Sequence, residues 1–313
     1  MMITRRTILH SLAFAVAAGS TTLLGAAASR AATRTTATAA ARPGRLAAIR
    51  SAIADLETRS GGRLGVAVRD MSSGEAVDWR GEERFPLCST FKLPATALVL
   101  SRVDRGQERL DRIVPYGTAD LIDYSPVTAP HAGTGLSMEA LCQGAMILSD
   151  NTAANLMLDS FGGPAALTAF LRDLGDGVTR IDRREPEVNI VPPGEVRDTT
   201  SPLAMLHTLE RLTLGDSLSP TSRARLVGWL IDNRTGDKRL RAGLPAGWRA
   251  GDKTGSWDSG QGKGTANDVA ILWPPGGGPL LVTAYLTEAP GGNDGRNRIL
   301  AAVGRLVAGG WQG

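Results

Sequence analysis

Apolar residues recur along the chain with two different periods, which predict helices in some segments and strands in others. Between residues 44 and 60 they are spaced by three and four, which predicts an amphipathic helix. Residues 64–71 and 76–79 flank a short Ser-Ser-Gly-Glu segment, which predicts a β-hairpin. After residue 245 the chain returns to strand-like runs, and a helix is predicted over about 295–307. The later strands are predicted over 248–253, 265–273 and 280–287.

Helical patterns dominate the middle of the chain. Residues 164–174 and 201–214 each have a proline near the start and a glycine after the end, an asymmetry typical of α-helices. The order β, α, β predicts an α/β fold (an α+β sandwich), in which an antiparallel sheet flanked by helices is built from both chain ends and an all-α subdomain is inserted. We expect the active site in the cleft between the two parts. The α/β part is placed at about 44–86 and 236–313, and the all-α part at about 87–235.

The formal charge of +4 belongs to the amino terminus. Residues 1–41 hold four arginines and no acidic residue, so residues 42–313 carry no net charge, which argues against a nucleic-acid-binding protein. Arg5 and Arg6 form a twin-arginine pattern, and an apolar stretch and small residues suited to cleavage follow.

That pattern predicts a cleaved export signal over residues 1–31, although an uncleaved membrane anchor is the alternative interpretation. Residues 32–43 are rich in Ala, Thr and Arg and are predicted to be a disordered linker, followed by one domain over 44–313. We therefore expect a periplasmic or secreted protein with no membrane association after processing.

Histidine and cysteine are scarce beyond the leader. His131 and His207 are not spaced as metal ligands, so we expect no metal site and no cofactor. The same scarcity disfavours a Ser-His-Asp triad, although a triad assembles in space and spacing does not exclude it. Cys88 and Cys142 are a possible disulfide pair in an exported protein, but cysteines in apolar contexts are more often buried small hydrophobes.

Three short motifs carry residue types suited to nucleophilic chemistry. Ser89 and Lys92 are three apart at the start of a predicted helix, where a lysine can activate a serine hydroxyl. Ser149-Asp150-Asn151 lies between two helical stretches, and Lys253-Thr254-Gly255-Ser256 lies at the end of a predicted strand. Taken singly, the motifs are also explained by a helix cap, an N-cap and a strand-end turn.

Taken together and in this order, the three motifs resemble those of class A serine β-lactamases, members of the penicillin-recognising serine enzymes. The resemblance extends from about residue 45 to 309. It includes the segment Arg183-Arg184-Glu185-Pro186-Glu187-Val188-Asn189, in which the family's glutamate and asparagine hold the water that attacks the acyl-enzyme. It also implies an Ω-loop over 183–198, clasped by an Arg183–Asp198 ion pair, and a cis Glu185–Pro186 bond.

The resemblance implies a role for each matching residue. Ser89 is the expected nucleophile, with Lys92 and Glu185 as alternative bases for acylation, and Ser149 is expected to pass a proton to the lactam nitrogen. The backbone N–H groups of Ser89 and Ser256 are the expected oxyanion hole. The residues expected to contact the substrate are Asn151, Asn189, Lys253, Thr254, Ser256, Arg239 and Tyr124. Read alone, Arg239 could be a solvated strand-edge arginine and Tyr124 a core aromatic.

The chain departs from the family pattern in two places. Relatives bridge a cysteine like Cys88 to a position that is Trp257 here, and one like Cys142 to a position that is Thr96, so we expect two free thiols. The hairpin after Ser256 is also about four residues longer than the family's usual one.

The resemblance implies hydrolysis of the β-lactam amide bond of penicillins and cephalosporins through a serine acyl-enzyme, conferring β-lactam resistance. The alternatives are a DD-peptidase or penicillin-binding protein, and a β-lactam sensor that acylates without turnover. Glu185 and Asn189 argue for the hydrolase. The expected partner is a small-molecule β-lactam, and the protein is expected to be a monomer.

Overall fold

The computed structural model describes residues 43–311, with side chains placed from residue 47 onward. The predicted leader over 1–31 and residues 32–42 of the predicted linker lie outside this range. Within it, no helix combines the length and the apolar character needed to cross a membrane.

Strands of the main sheet lie near both ends of this range and most helices lie between them, in the predicted order. The strands are β1 Arg63–Asp70, β2 Ala76–Trp79, β3 Phe85–Pro86, β4 Ile113–Val114, β5 Leu136–Ser137, β6 Thr199–Thr200, β7 Arg249–Asp258, β8 Gly264–Trp273 and β9 Leu280–Ala289. The α-helices are α1 Pro43–Ser60, α2 Lys92–Asp104, α3 Met138–Ile147, α4 Asn151–Ser160, α5 Gly163–Asp173, α6 Pro202–Thr213, α7 Pro220–Ile231 and α8 Gly292–Gly310.

The main sheet has five antiparallel strands in the order β2-β1-β9-β8-β7. Strands from both chain ends meet where β1 pairs with β9, which confirms the predicted architecture. Alternate residues of β9 lie on opposite faces of the sheet, because successive side chains of a strand point in opposite directions. Val282 and Leu286 pack with α1 and α8, whereas Leu281 and Tyr285 join the core of the helical part.

Helix α2 is the centre of the helical part. Its residues from Lys92 to Ser101 are all buried, because α3, α4, α5 and α7 surround it. A helix that is apolar on every side is stable only in such an interior position. The short turn that precedes α2 packs against the edge strand β7, so the amino end of the buried helix lies beside the sheet.

The predicted bounds of β7 were wrong. The strand does not end at residue 253 but continues to Asp258, so Lys253 to Ser256 lie inside it. Its pairing with β8 continues beyond Ser256 to Asp258 and Gly264, and the exposed segment 259–263 forms the turn. The motif lacks the apolar alternation that marks a strand, so backbone pairing with β8 decides its conformation.

Candidate active site

Ser89 lies in a single 3₁₀ turn, Cys88–Phe91, and Lys92 is the first residue of α2. The turn is held by Thr90, whose N–H and hydroxyl both donate to the Leu87 carbonyl (3.2 and 2.7 Å). Cys88 has φ +43°, a left-handed conformation that is rare for a residue with a side chain and is common at functional sites. The turn directs Ser89, which is partly exposed, outward beside a fully buried Lys92.

The Lys92 ammonium is surrounded by oxygen atoms. Nζ donates to Ser89 Oγ (2.9 Å), to the Ser149 carbonyl (2.9 Å) and to Asn151 Oδ1 (2.6 Å). It is also 3.0 Å from Glu185 Oε1. Burial lowers the pKa of Lys92, and the Glu185 carboxylate partly opposes this shift. A lysine whose pKa is lowered beside a serine hydroxyl can act as its base.

Ser149 stands between two buried lysines. Its Oγ accepts from Lys253 Nζ (3.0 Å) and from Lys92 Nζ (3.4 Å). Ser149 has φ +61°, and Asp150, the N-cap of α4, follows it. Burial, together with the charge of Lys92, lowers the pKa of Lys253 well below its ordinary value. The arrangement places one hydroxyl within reach of two groups that can give or take a proton.

Glu185 reaches the same point from a loop. It is only 3% exposed, and its Oε1 accepts a hydrogen bond from Ser89 Oγ (3.2 Å). Its Oε2 accepts from Asn189 Nδ2 (2.5 Å). The oxygen of the Asn189 amide is buried and accepts no hydrogen bond from the described residues. The Glu185 carboxylate thus lies beside the serine and is bound by the Asn189 amide.

The Ω-loop contacts predicted around Glu185 are present. Arg183 Nε pairs with Asp198 Oδ2 (2.5 Å), and Asp198 Oδ1 accepts from the N–H groups of Asp182 and Arg183. The Glu185–Pro186 bond is cis, as expected. Both predictions are confirmed.

Asn155 is a site residue that the sequence motifs missed. Its side chain donates to the Glu185 carbonyl (2.9 Å) and accepts from the Glu185 N–H (3.1 Å). It follows Asn151 by four residues and so shares its face of α4, a spacing that could have drawn attention to it. Helix α4 thereby connects the Lys92 environment with the loop.

Strand β7 closes the other side of the site. A Cβ on Gly255 would lie 2.9 Å from the Leu87 carbonyl and 3.2 Å from the Ser89 nitrogen, so only glycine permits this approach. The approach brings the backbone of Ser256, which is exposed, near that of Ser89. Thr254 lies in the same strand and shares a 2.5 Å hydrogen bond with Thr235 Oγ1.

Arg239 is not a solvated arginine. It is 6% exposed, and its Nη1 donates to the carbonyls of Gly255 (2.8 Å) and Asn267 (2.7 Å). Its Nη2 donates to Ser256 Oγ (2.5 Å). Burial lowers the pKa of Arg239. The guanidinium therefore lies next to the strand that carries Lys253 and Ser256.

Tyr124 is not a core residue, because it is 60% exposed. Its carbonyl accepts from the Asn151 N–H (3.0 Å), and its backbone has φ +63°. The neighbouring Asp123 carbonyl accepts from Asn151 Nδ2 (2.9 Å). Tyr124 therefore lies at the exposed border of the site.

Cys88 and Cys142 are both buried and unbonded to each other, which confirms the expectation of free thiols. Burial raises the pKa of each thiol. Between residues 43 and 311, no group of three or more His, Cys, Asp or Glu side chains is placed to hold a metal ion.

This geometry is that of a serine acyl-transfer enzyme, and comparison with known proteins identifies its family. The model of the β-lactamase enzyme family matches residues 48–311. β-Lactamase L2 of Stenotrophomonas maltophilia is 49% identical over 255 residues, covering 81% of this chain and 83% of that protein. β-Lactamase CTX-M-8 of Citrobacter amalonaticus is 43% identical, covering 84% and 89%.

Solved structures agree. An ancestral class A β-lactamase has 58% identity and a TM-score of 0.82, covering 84% of this chain and all of the other. The putative class A β-lactamase PenP from Rhodopseudomonas palustris has 56% identity and a TM-score of 0.81, covering 84% and 99%. The chain belongs to the class A serine β-lactamase family.

Proposed function

We propose that this enzyme hydrolyses the amide bond of penicillins and cephalosporins through an ester on Ser89, and so confers β-lactam resistance. The observation that carries the proposal is the position of the Glu185 carboxylate, in hydrogen-bond contact with Ser89 Oγ (3.2 Å) and with Asn189 (2.5 Å). β-Lactam hydrolysis itself follows from the family of the chain.

In the acylation step Ser89 Oγ attacks the lactam carbonyl carbon. Two bases lie within reach of the serine proton, Lys92 Nζ at 2.9 Å and Glu185 Oε1 at 3.2 Å. The backbone N–H groups of Ser89 and Ser256 stabilise the oxyanion, since Gly255 lets β7 approach the nucleophile closely.

Ring opening breaks the carbon–nitrogen bond, and the nitrogen then takes a proton. Ser149 supplies it, because its hydroxyl lies between the ammonium groups of Lys92 and Lys253, which can restore it. The strained backbone of Ser149 holds the hydroxyl in this position.

Substrate binding uses both sides of the site. The substrate carboxylate is bound by Lys253, Thr254 and Ser256 on β7, with Arg239 next to Ser256. Opposite them, Asn151 binds the side-chain amide and Tyr124 borders the substrate.

Deacylation distinguishes a hydrolase from a protein that remains acylated. Glu185 takes a proton from a water that attacks the ester carbonyl, and Asn189 positions that water with its unpaired amide oxygen. The bond between the carbonyl carbon and Ser89 Oγ then breaks, Oγ takes the proton back from Glu185, and the opened acid leaves. A penicillin-binding protein or a sensor has no need of such a carboxylate next to the nucleophile.

A Glu185→Gln variant tests this role. Removing the base is expected to slow deacylation by about 10²–10⁴-fold, so that the penicilloyl adduct accumulates in intact-protein mass spectra. Glu187→Gln is the matched control, because Glu187 is an exposed acid two residues further along the same loop. If Glu185→Gln hydrolysed a penicillin as fast as the parent, the proposed hydrolytic role would be wrong.

We also propose that the protein is exported by its twin-arginine leader and acts as a monomer. The pattern around Arg5 and Arg6 supports export, and a single chain supplies every site residue named above. Lysine at both arginines is expected to keep the precursor inside the cell, and sedimentation of the mature protein tests its oligomeric state.

A further inference from the structure

Two buried carboxyl groups lie on neighbouring strands behind the residues proposed to bind substrate. Asp252 precedes Lys253 on β7, and Asp268 lies on β8 directly opposite Thr254. Both are completely buried. The proposed mechanism uses neither of them, although buried carboxyl groups are unfavourable without partners.

Both carboxyl groups bind the segment 233–243, which carries Arg239. Asp252 accepts from Asn233 Nδ2 (2.5 Å) and pairs with the guanidinium of Arg241. Asp268 Oδ2 accepts from the backbone N–H of Leu240 (3.1 Å), the residue directly after Arg239. Asn233 precedes Arg239 in the chain, and Leu240 and Arg241 directly follow it.

Helix α8 also packs against Leu240. Leu240 begins the single turn Leu240–Gly243 and is fully buried. Helix α8 touches its carbonyl so closely that a Cβ on Gly304 would lie 2.3 Å from that oxygen. Helix α8 thus packs against the carbonyl of Leu240, while Asp268 binds its N–H.

We infer that Asp268 is a positioning residue for Arg239: its hydrogen bond to Leu240 N–H fixes the backbone from which the guanidinium reaches Gly255 and Ser256. The inference rests on the proposed role of Arg239 in carboxylate binding. Asp268 touches no substrate, and its effect is transmitted through Arg239.

The electrostatics of Asp252 and Asp268 indicate that the hydrogen bond of Asp268, and not its charge, is the property that matters. Burial and the neighbouring Asp252 raise the pKa of Asp268 well above its ordinary value, which favours the neutral acid. Its Oδ1 has no hydrogen-bond partner within residues 43–311. An asparagine there would keep the acceptor for Leu240 N–H and a similar shape, so the hydrogen bond can be tested separately from the charge.

The experiment compares Asp268→Ala, Asp268→Asn, Arg239→Ala and the double variant Asp268→Ala/Arg239→Ala, with kcat and KM measured on benzylpenicillin. Asp268→Ala is expected to raise KM by about tenfold with little change in kcat, since one hydrogen bond that orders a charged group is lost. Asp268→Asn is expected to keep the parental KM. The double variant is expected to match Arg239→Ala, because Asp268 acts only through that guanidinium.

Asp176→Ala is the control for a loss of stability alone. Asp176 is similarly buried and accepts from Thr208 and from two backbone N–H groups, but it lies outside the site. It is expected to lower the melting temperature without changing KM. If Asp268→Ala does not fold, Asp268→Val offers no acceptor, fills the space and replaces it in the comparison.

Three results would overturn the inference, and they have different meanings. Additive effects of Asp268→Ala and Arg239→Ala on KM, or an Asp268→Asn variant as impaired as Asp268→Ala, would reject the positioning role and leave the proposed mechanism intact. An unchanged KM in Arg239→Ala would reject carboxylate binding by Arg239, and the positioning role with it.

Discussion

Lys92 and Lys253 are two fully buried lysines that share one hydroxyl neighbour, Ser149. Each resists being charged, because burial removes water and each lysine repels the other. Glu185 compensates Lys92 directly at 3.0 Å, whereas the two hydrogen bonds of Lys253 go to neutral oxygens. The two buried lysines therefore lower the free energy of unfolding, and Lys253 lowers it more than Lys92.

That argument predicts a pH dependence of unfolding. The fold lowers the pKa of Lys253 well below its ordinary value, so between that lowered pKa and about 10.4 the unfolded chain binds more protons than the folded one. The contribution of Lys253 to the free energy of unfolding therefore rises with pH across this window. Urea unfolding of the parent and of Lys253→Met at several pH values from 7 to 10 should show that the free energy of unfolding of the parent rises with pH relative to that of the variant.

Lys238→Met is the control for that experiment, since Lys238 is 76% exposed. Its difference from the parent should stay constant with pH. A constant difference for Lys253→Met as well would show that burial does not penalise the Lys253 charge.

At the scale of elements, the Ω-loop determines where the Glu185 carboxylate lies. Its two ends are joined by Arg183 and the fully buried Asp198, and Asn155 attaches the backbone of Glu185, near the start of the loop, to α4. The rest of the loop is largely exposed, including Ile190 and Val196. A few contacts therefore hold the segment that carries the proposed base Glu185, and that segment has little core of its own.

Arg183→Ala tests this dependence. The substitution leaves the Asp198 carboxylate buried with only backbone partners, so the free energy of unfolding is expected to fall by about 2 kcal/mol. Deacylation should slow more than acylation, because Glu185 is less well positioned. Denaturant unfolding measures the loss of stability. Single-turnover measurements compare the rates of acylation and deacylation.

Arg197→Ala is the matched control in the same loop. Arg197 is 52% exposed and pairs with Glu195 in the exposed part of the loop, and such solvent-screened pairs contribute little to stability. Equal losses of stability in the two variants would contradict the special role of the Arg183–Asp198 pair.

At the scale of the whole molecule, no disulfide joins the sheet to the helical part. Cys88 lies at the turn before α2 and Cys142 within α3, and both are buried as free thiols. Without a disulfide, the stability of the fold depends on two hydrophobic cores, one on each face of the sheet. Burial also raises the pKa of both thiols, which suppresses the reactive thiolate.

The native protein should therefore be unreactive toward a thiol reagent, while the unfolded chain should titrate two thiols. Reducing agent should leave the melting temperature unchanged, because there is no disulfide to break. One or no thiol in the unfolded, unreduced chain would show that the cysteines are oxidised.

Local patterns in the sequence were enough for much of this description. Apolar spacing predicted α1 and the β1–β2 hairpin nearly to the residue, and the proline and glycine at their ends did the same for α5 and α6. The three short motifs and the Glu185 segment pointed to the chemistry, since residue type and close spacing are visible in the chain itself.

Only the tertiary structure decided how those pieces meet. Ser89 and Glu185 are 96 residues apart in sequence, and Ser149 and Lys253 are 104 apart. The conformation of residues 253–256 depends on the pairing of β7 with β8. The burial of Arg239 depends on carbonyl groups of the same two strands, which accept its hydrogen bonds.

Asn155 and Asp268 escaped prediction for the same reason. Each binds the backbone of a distant residue by hydrogen bonds, and the sequence does not show which backbone N–H or carbonyl is bound, even where spacing places Asn155 on the same helix face as Asn151. The sequence by itself thus indicated most of the elements and the residues proposed to react. The packing of the sheet against the helices determined their distances, their burial and hence their pKa values, because these depend on contacts between segments far apart in the chain.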